Sequence, residues 1–184
     1  MKPVFDTIIK HIPAPIDNSD EPLQFQITML DWDDYVGRIG VGRIYRGKVK
    51  VGDNITVMKR DGSTQNFRVT KLFGFFGLKR IEIKEAKAGD IIAISGIDNI
   101  YVGETIASED HPEALPLLKI DPPTLQMDFV ANDSPFAGQE GDKVTPKKLE
   151  DRLIRQTRTD VSLKVEPTDQ LNAWTVSGRG ELHL

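Results

Sequence analysis

Between residues 22 and 108, apolar and polar side chains alternate with a period of two, and glycine-containing turns interrupt the alternation at short intervals. Leu23, Phe25, Ile27 and Met29 form one series; Ile39 with Val41, Val49 with Val51, Ile55 with Val57, Phe67 with Val69 and Ile81 with Ile83 form others. A period of two sends successive side chains to opposite faces of a strand, so each series can bury one face and wet the other. Many short strands of this kind are expected to close into a small β-barrel or stack as a sandwich. The run Asp90-Ile-Ile-Ala-Ile-Ser-Gly96 lacks the alternation and reads as a strand covered on both faces. Three pentapeptides share one pattern: Val51-Gly-Asp-Asn-Ile55, Ala88-Gly-Asp-Ile-Ile92 and Val102-Gly-Glu-Thr-Ile106. In each, glycine offers a positive φ, an acid favours the turn and isoleucine opens the next strand. Their spacing is irregular, so they are read as repeated turn chemistry within one barrel rather than as a solenoid.

The flanks follow other rules. Residues 1–21 read as a leader: Phe5, Ile8, Ile9 and Ile12 lie at helical spacing, and Pro13 and Pro15 end the helix. Residues 109–121 form a proline-punctuated connector. After it, Leu125, Met127 and Phe129 alternate as a strand. Thr145 is placed to cap a helix with Pro146 at its first position. Leu149, Leu153 and Ile154 give that helix an apolar face, and Asp151 is spaced to pair with Arg155. Val161, Leu163 and Val165 then alternate, as do Trp174 and Val176, and "SGRGELHL" at 177–184 reads as the start of a second helix. Residues 122–184 thus predict a β-α-β-β portion of a ferredoxin-like domain, cut short. The sequence is accordingly read as a fragment of a longer protein, in which the open edge of this second unit could support self-association.

Composition narrows the function classes. Of 184 residues, 39% are hydrophobic and 28% charged, as in ordinary globular chains. No apolar run approaches the roughly 20 residues of a membrane helix, and Asp6 and His11 sit where a signal peptide would be apolar. With no cysteine, disulfides, thiolate metal sites and cysteine nucleophiles are excluded, and a cytoplasmic setting fits. The net charge of −4 is unevenly spread. Residues 37–80 hold eleven Lys/Arg against two Asp, whereas residues 109–184 hold nine basic and fourteen acidic groups. Such a basic stretch can meet a polyanion locally, or it can serve as a solvated strand face.

Several motifs carry less than they first suggest. Gly42 to Lys48 matches G-x-x-x-x-G-K, but Val49 follows and the pattern continues as strand and turn rather than opening a helix. Asp31, Asp33 and Asp34 could seed a metal-dependent hydrolase, yet a polar loop between strands explains them more simply. His11, His111 and His183 show no metal-ligand spacing. In "KLFGFFGLKR", Phe73, Phe75 and Phe76 alternate with glycines between Lys71 and Lys79-Arg80. That mixture suits base stacking and phosphate contact. The favoured expectation nevertheless assigns the phenylalanines to the core and only the cations to water.

"GRIGVGRIYRGKVKVGDNITV" resembles the second-domain barrel of elongation-factor-type translational GTPases, and "VSGRGELHL" resembles a segment in the third domain of elongation factor G and its relatives. "FDTIIKHIPAP", "LDWDDYVGRIGVGRIYRG", "KLFGFFGLKR" and "NDSPFAGQEG" together resemble the TypA/BipA family of ribosome-associated translational GTPases, and the likeness covers nearly the whole chain. The resemblance implies an elongation-factor-type β-barrel at 22–108, a linker at 109–121 and a partial third domain at 122–184. It implies a GTPase domain, with GTP and Mg, before this stretch of the parent protein. The phosphate loop and the guanine-reading motif of that domain are absent from this sequence, so no catalytic, cofactor or metal site is expected here. The implied partners are the ribosome with its RNA and the parent's own GTPase domain, with no membrane. Arg43, Arg46, Lys48, Lys71, Lys79 and Arg80 are the candidate phosphate contacts. The competing expectation is a scaffold that touches only the GTPase domain.

Overall fold

The structure is a computed structural model that describes residues 2–139, 141 and 145–184, so Met1 of the leader and Glu140 of "NDSPFAGQEG" lie outside the described residues. Helix α1 (Lys2–His11) opens the chain with Val4, Phe5, Ile8 and Ile9 exposed. Ten strands follow: β1 (Gln24–Asp33), β2 (Gly37–Arg46), β3 (Lys48–Lys50), β4 (Asn54–Met58), β5 (Thr64–Arg68), β6 (Lys71–Phe76), β7 (Lys79–Ile83), β8 (Glu85–Lys87), β9 (Ile91–Ser95) and β10 (Thr105–Ser108). Eight of them form one antiparallel sheet in the order β5-β4-β10-β1-β2-β9-β6-β7, and β3 pairs with β8 as a separate ribbon.

This strand order forces the sheet to curl. Strands β5 and β6 stand six places apart, which in a flat sheet would separate them by about 29 Å. Only Val69 and Thr70 join them, a link that reaches no more than about 11 Å. The sheet therefore bends back on itself around Phe25, Ile27, Ile44, Leu72, Ile92, Ile94, Ile100 and Ile106, which are almost fully buried. The result is barrel-like, but the hydrogen-bonded ladder does not close, because β5 and β7 remain its edges.

The three pentapeptides build one device three times. The N–H of the fourth residue closes each turn onto the carbonyl of the first: Asp53 to Lys50 at 3.2 Å, Asp90 to Lys87 at 3.0 Å, Glu104 to Tyr101 at 3.3 Å. The third residue is Gly52, Gly89 or Gly103, at φ of 94°, 94° and 91°. That is the type II turn, whose third position excludes most side chains. Each acid then turns back: Asp53 Oδ2, Asp90 Oδ2 and Glu104 Oε2 accept the N–H of Lys50, Lys87 and Tyr101 at 2.8, 2.9 and 2.9 Å.

The connector after β10 is irregular and pinned to the barrel. Buried Gln24 and Gln26 donate to the carbonyls of Glu113 and Pro116 at 3.2 and 2.8 Å, and the Leu115 N–H donates to the Thr105 hydroxyl at 2.9 Å.

Beyond it, β11 (Leu125–Val130), helix α2 (Pro146–Thr157), β12 (Lys164–Pro167) and β13 (Ala173–Gly178) give the expected β-α-β-β order, with β13 between the other two strands. Leu153, Trp174 and Val176 form its core, with Phe129, Leu149, Leu163 and Leu184 against them. Three local expectations are corrected. Thr145 stands at the N-cap with no side-chain cap bond. The i,i+4 contact on α2 runs from Arg152 to Gln156 at 2.8 Å rather than from Asp151 to Arg155. Val161 and Leu163 precede β12, because Asp160 accepts the Ser162 N–H and hydroxyl at 3.0 and 2.8 Å and holds that stretch in a turn.

"GELHL" forms a short 3-10 turn at Glu181–His183. His183 Nδ1 accepts the Arg179 N–H at 3.0 Å, so Nε2 carries the proton and donates to Asp160 Oδ2 at 2.6 Å. Burial alone would raise the Asp160 carboxyl, but the bonds from His183 and Ser162 outweigh it and hold it below its ordinary value. A depressed carboxyl contributes stability above its unfolded pKa and loses it as the pH falls through its folded pKa. The Asp160–His183 tie is therefore expected to hold above about pH 4 and to open in more acid solution. Protection of the Ser162 amide, measured against its intrinsic exchange rate, should fall across that acid window in the natural chain, and be low already at neutral pH in Asp160→Ala.

Candidate functional site

The six cations singled out from sequence fall at separate places. Arg46, at the end of β2, pairs with Glu113 of the connector and lies 3.9 Å from Glu21, while Lys48 meets Asp20 at 2.9 Å. This pair clamps the segments on either side of the barrel. Lys71 meets Glu82 at 3.2 Å, and Arg80 meets Asp31 at 2.7 Å and Asp33 at 3.8 Å. Gln24 lies opposite Arg46 on β1 and Asp31 lies seven residues further along, so the two groups stand about 23 Å apart. Among the described residues, Arg43 and Lys79 have no carboxylate partner; the Arg43 guanidinium lies 5.7 Å from the Tyr45 ring centre.

The aromatic hairpin corrects another expectation. Phe73 is half-buried, beside Ile39, Val41 and Ala93, with the Arg80 guanidinium 5.1 Å from its ring centre. Phe75 and Phe76, by contrast, are 44% and 77% exposed. The three acids of "LDWDD" have structural duties. Asp33 Oδ1 accepts the Tyr35 and Val36 N–H groups, which hold its carboxyl below its ordinary value, and Asp34 accepts the Trp32 indole N–H at 3.1 Å. The described residues contain no group of three or more side chains placed to hold a metal ion. Gly42 to Lys48 runs along β2 into β3 with no helix behind it, so these residues do not fit a phosphate-holding loop.

A further cluster escaped the sequence reading. At the tip of the β4–β5 hairpin, Lys59 reaches Glu104 at 3.6 Å and donates to the Asn99 carbonyl. The Glu104 side chain is 2% exposed and that of Lys59 11%. Arg60 Nε donates to the Val102 carbonyl at 3.2 Å, and Arg38 Nη1 to the Ile100 carbonyl at 3.1 Å. Both guanidiniums lie within 6.0 Å of the Tyr101 ring centre. Carbonyls orient the two guanidiniums without cancelling their charge, whereas carboxylates meet Lys59 and most of the six predicted cations. A cavity of about 550 Å³ opens here, lined among others by Lys59, Arg60, Ser63, Asn99 and Tyr101. The signal that could have found it is in the repeat itself: Lys50 and Lys87 open the first two turns, and Tyr101 opens the third.

Comparisons with known proteins agree with this architecture. The profile of the family "Elongation factor Tu domain 2" matches residues 37–107. Over all 184 residues the chain is 62% identical to the large ribosomal subunit assembly factor BipA of Bacillus subtilis (strain 168), covering 30% of that protein. It is 52% identical to the protein of the same name from Synechocystis, covering 31% of it, and 46% identical to that of Escherichia coli K12, covering 30%. The chain thus spans about a third of the length of these relatives. A crystal structure from Thermus thermophilus superposes with a TM-score of 0.63 over 99% of this chain and 26% of that one, at 22% identity, a likeness of fold alone.

Proposed function

Because this chain belongs to the BipA/TypA family, at 46–62% identity along its whole length, we propose that it is the barrel and partial third domain of a ribosome-docking translational GTPase. In this reading residues 22–108 form the barrel domain, 109–121 the linker and 122–184 the partial third domain. GTP and Mg act in the GTPase domain of the whole cytoplasmic protein, and this stretch relays that domain's state to the ribosome. The observation that carries the proposal is the full-length identity to proteins named as large ribosomal subunit assembly factors.

Arg43, Arg46, Lys48, Lys71, Lys79 and Arg80 are proposed to contact RNA phosphates. The pairs that now hold four of them are surface ion pairs, worth roughly 0–1 kcal/mol each, so phosphates can replace the carboxylates. Arg46 and Lys48 also favour a second reading, a scaffold that orders its own flanking segments against the GTPase domain without RNA contact.

Ribosome co-sedimentation separates the two. Pelleting of the natural chain should fall steeply with salt, because bound cations displace counterions from RNA. Reversing Arg43, Lys48, Lys71 and Lys79 to Glu should lower it about tenfold or more at low salt, given several lost phosphate contacts. Equal pelleting of both proteins would sink the docking proposal and leave the scaffold.

A further inference from the structure

We propose that the groove between the β4–β5 hairpin and residues 99–104 is a binding site for one unstacked nucleotide of single-stranded RNA. The base lies against Tyr101, and the neighbouring phosphate lies on Arg60. This rests on the ribosome-docking reading for its biological setting, but its chemistry is independent of the six cations discussed there.

Three observations converge. First, among the described residues Arg60 has no carboxylate partner: its Nε and Nη2 both donate to the Val102 carbonyl, leaving the outer guanidinium N–H groups for an anion. A guanidinium presents five donors in a planar fork that matches phosphate oxygens. Second, the Tyr101 ring, with the Arg60 guanidinium 6.0 Å from its centre, is 44% exposed, although its backbone is fixed by Glu104. An aromatic ring beside arginine planes is the usual platform for a splayed-out base. Third, beside Lys59 and Arg60 and the acids Asp61 and Glu104, the wall carries Ser63, Gln65 and Asn99, which can meet a base edge or a ribose hydroxyl. An acidic peptide would need only the cations. The volume of about 550 Å³ suits a small ligand, and a base still stacked in a duplex could not enter it.

The groove is also rigid. Lys59 and Glu104 brace its floor, so little ordering is required on binding.

The test uses the whole 184-residue chain and a fluorescent six-nucleotide single-stranded RNA carrying 4-thiouridine. Anisotropy should report salt-dependent binding, and photocrosslinking should map to Tyr101 or a neighbour in the groove. Tyr101→Leu should weaken binding about tenfold, the effect typical of one stacked base, while Tyr101→Phe stays within about twofold of the natural chain. Arg60→Gln should weaken binding and flatten its salt dependence. Circular dichroism confirms that each variant is folded, and Lys147→Gln on α2 serves as a distant cation control.

Three results would overturn the inference: no binding of the six-mer by the natural chain, equal binding by Tyr101→Leu, or competition by poly-glutamate as strong as by RNA. The last would assign the groove to an acidic protein partner. Ribosome pelleting is scored separately. A chain that pellets yet fails the six-mer test loses only this site, and one that binds the six-mer through Tyr101 without pelleting loses only the docking proposal.

Discussion

Gly42→Ala is expected to leave the chain largely unfolded, with low soluble yield and no cooperative urea transition for the barrel. Gly42 on β2 lies opposite Ile27 on β1, the pairing with the most extensive register in the sheet. A Cβ there would stand 1.8 Å from the Gln26 carbonyl oxygen, 2.8 Å from its carbon and 3.2 Å from the Ile27 Cα. All three are backbone atoms held by the ladder, so no rotamer change can relieve the overlap. Either β1 and β2 part or the sheet shifts register, and both expose Ile27 and its neighbours. A loss above about 4 kcal/mol is the exceptional class for one substitution and approaches the whole stability of a domain. Gly40→Ala, two residues away, is the internal control. Its Cβ would meet only Ile100 and Ile27 side chains, at 2.9 and 3.3 Å, and should lose about 1–3 kcal/mol through overpacking. A Gly42→Ala protein melting within a few degrees of the natural chain would contradict the close approach of β1 and β2.

The second large effect is expected at Glu104. The same turn device occurs three times, but the acid is buried only in the third, where Glu104 is 1% exposed. Glu104→Ala removes the acceptor for the Tyr101 N–H and strands the nearly buried Lys59. Breaking one partner of a buried pair destabilises by about 3–5 kcal/mol, and the bond that Lys59 keeps to Asn99 argues for the lower end. Asp53→Ala and Asp90→Ala remove the equivalent backbone bond at solvent-facing turns and should each lose about 1 kcal/mol. Denaturant midpoints of the three variants read the difference directly. A Lys59→Met, Glu104→Leu double variant should recover much of the loss, because the stranded charge leaves with its partner. Three equal losses would show that burial of Glu104 adds nothing beyond the turn.

The sequence by itself determined the local decisions. Period-two alternation placed Phe25, Ile27, Ile39 and Val57 in strands with a buried face, since strand geometry ties position in sequence to side of the sheet. The glycine-acid pentapeptides determined three type II turns, because their dihedrals exclude other residues at the third position. Pro146 and the spacing of Leu149 and Leu153 determined α2. The residues of the family resemblance were equally open to reading.

What tertiary structure alone decided is which residues meet across large separations. Sequence counted Arg46 and Arg80 as members of one basic stretch; strand order put them at opposite ends of β1 and gave each a carboxylate from a distant segment. It exposed Phe75 and Phe76, because β7 is a sheet edge with nothing packed over the hairpin tip. It also brought Arg38 and Arg60 to Tyr101 and Lys59 to Glu104, up to 63 positions away along the chain. Periodicity reports which face a side chain occupies. Pairing between strands sets its neighbours, and that depends on how the whole sheet curls around its core.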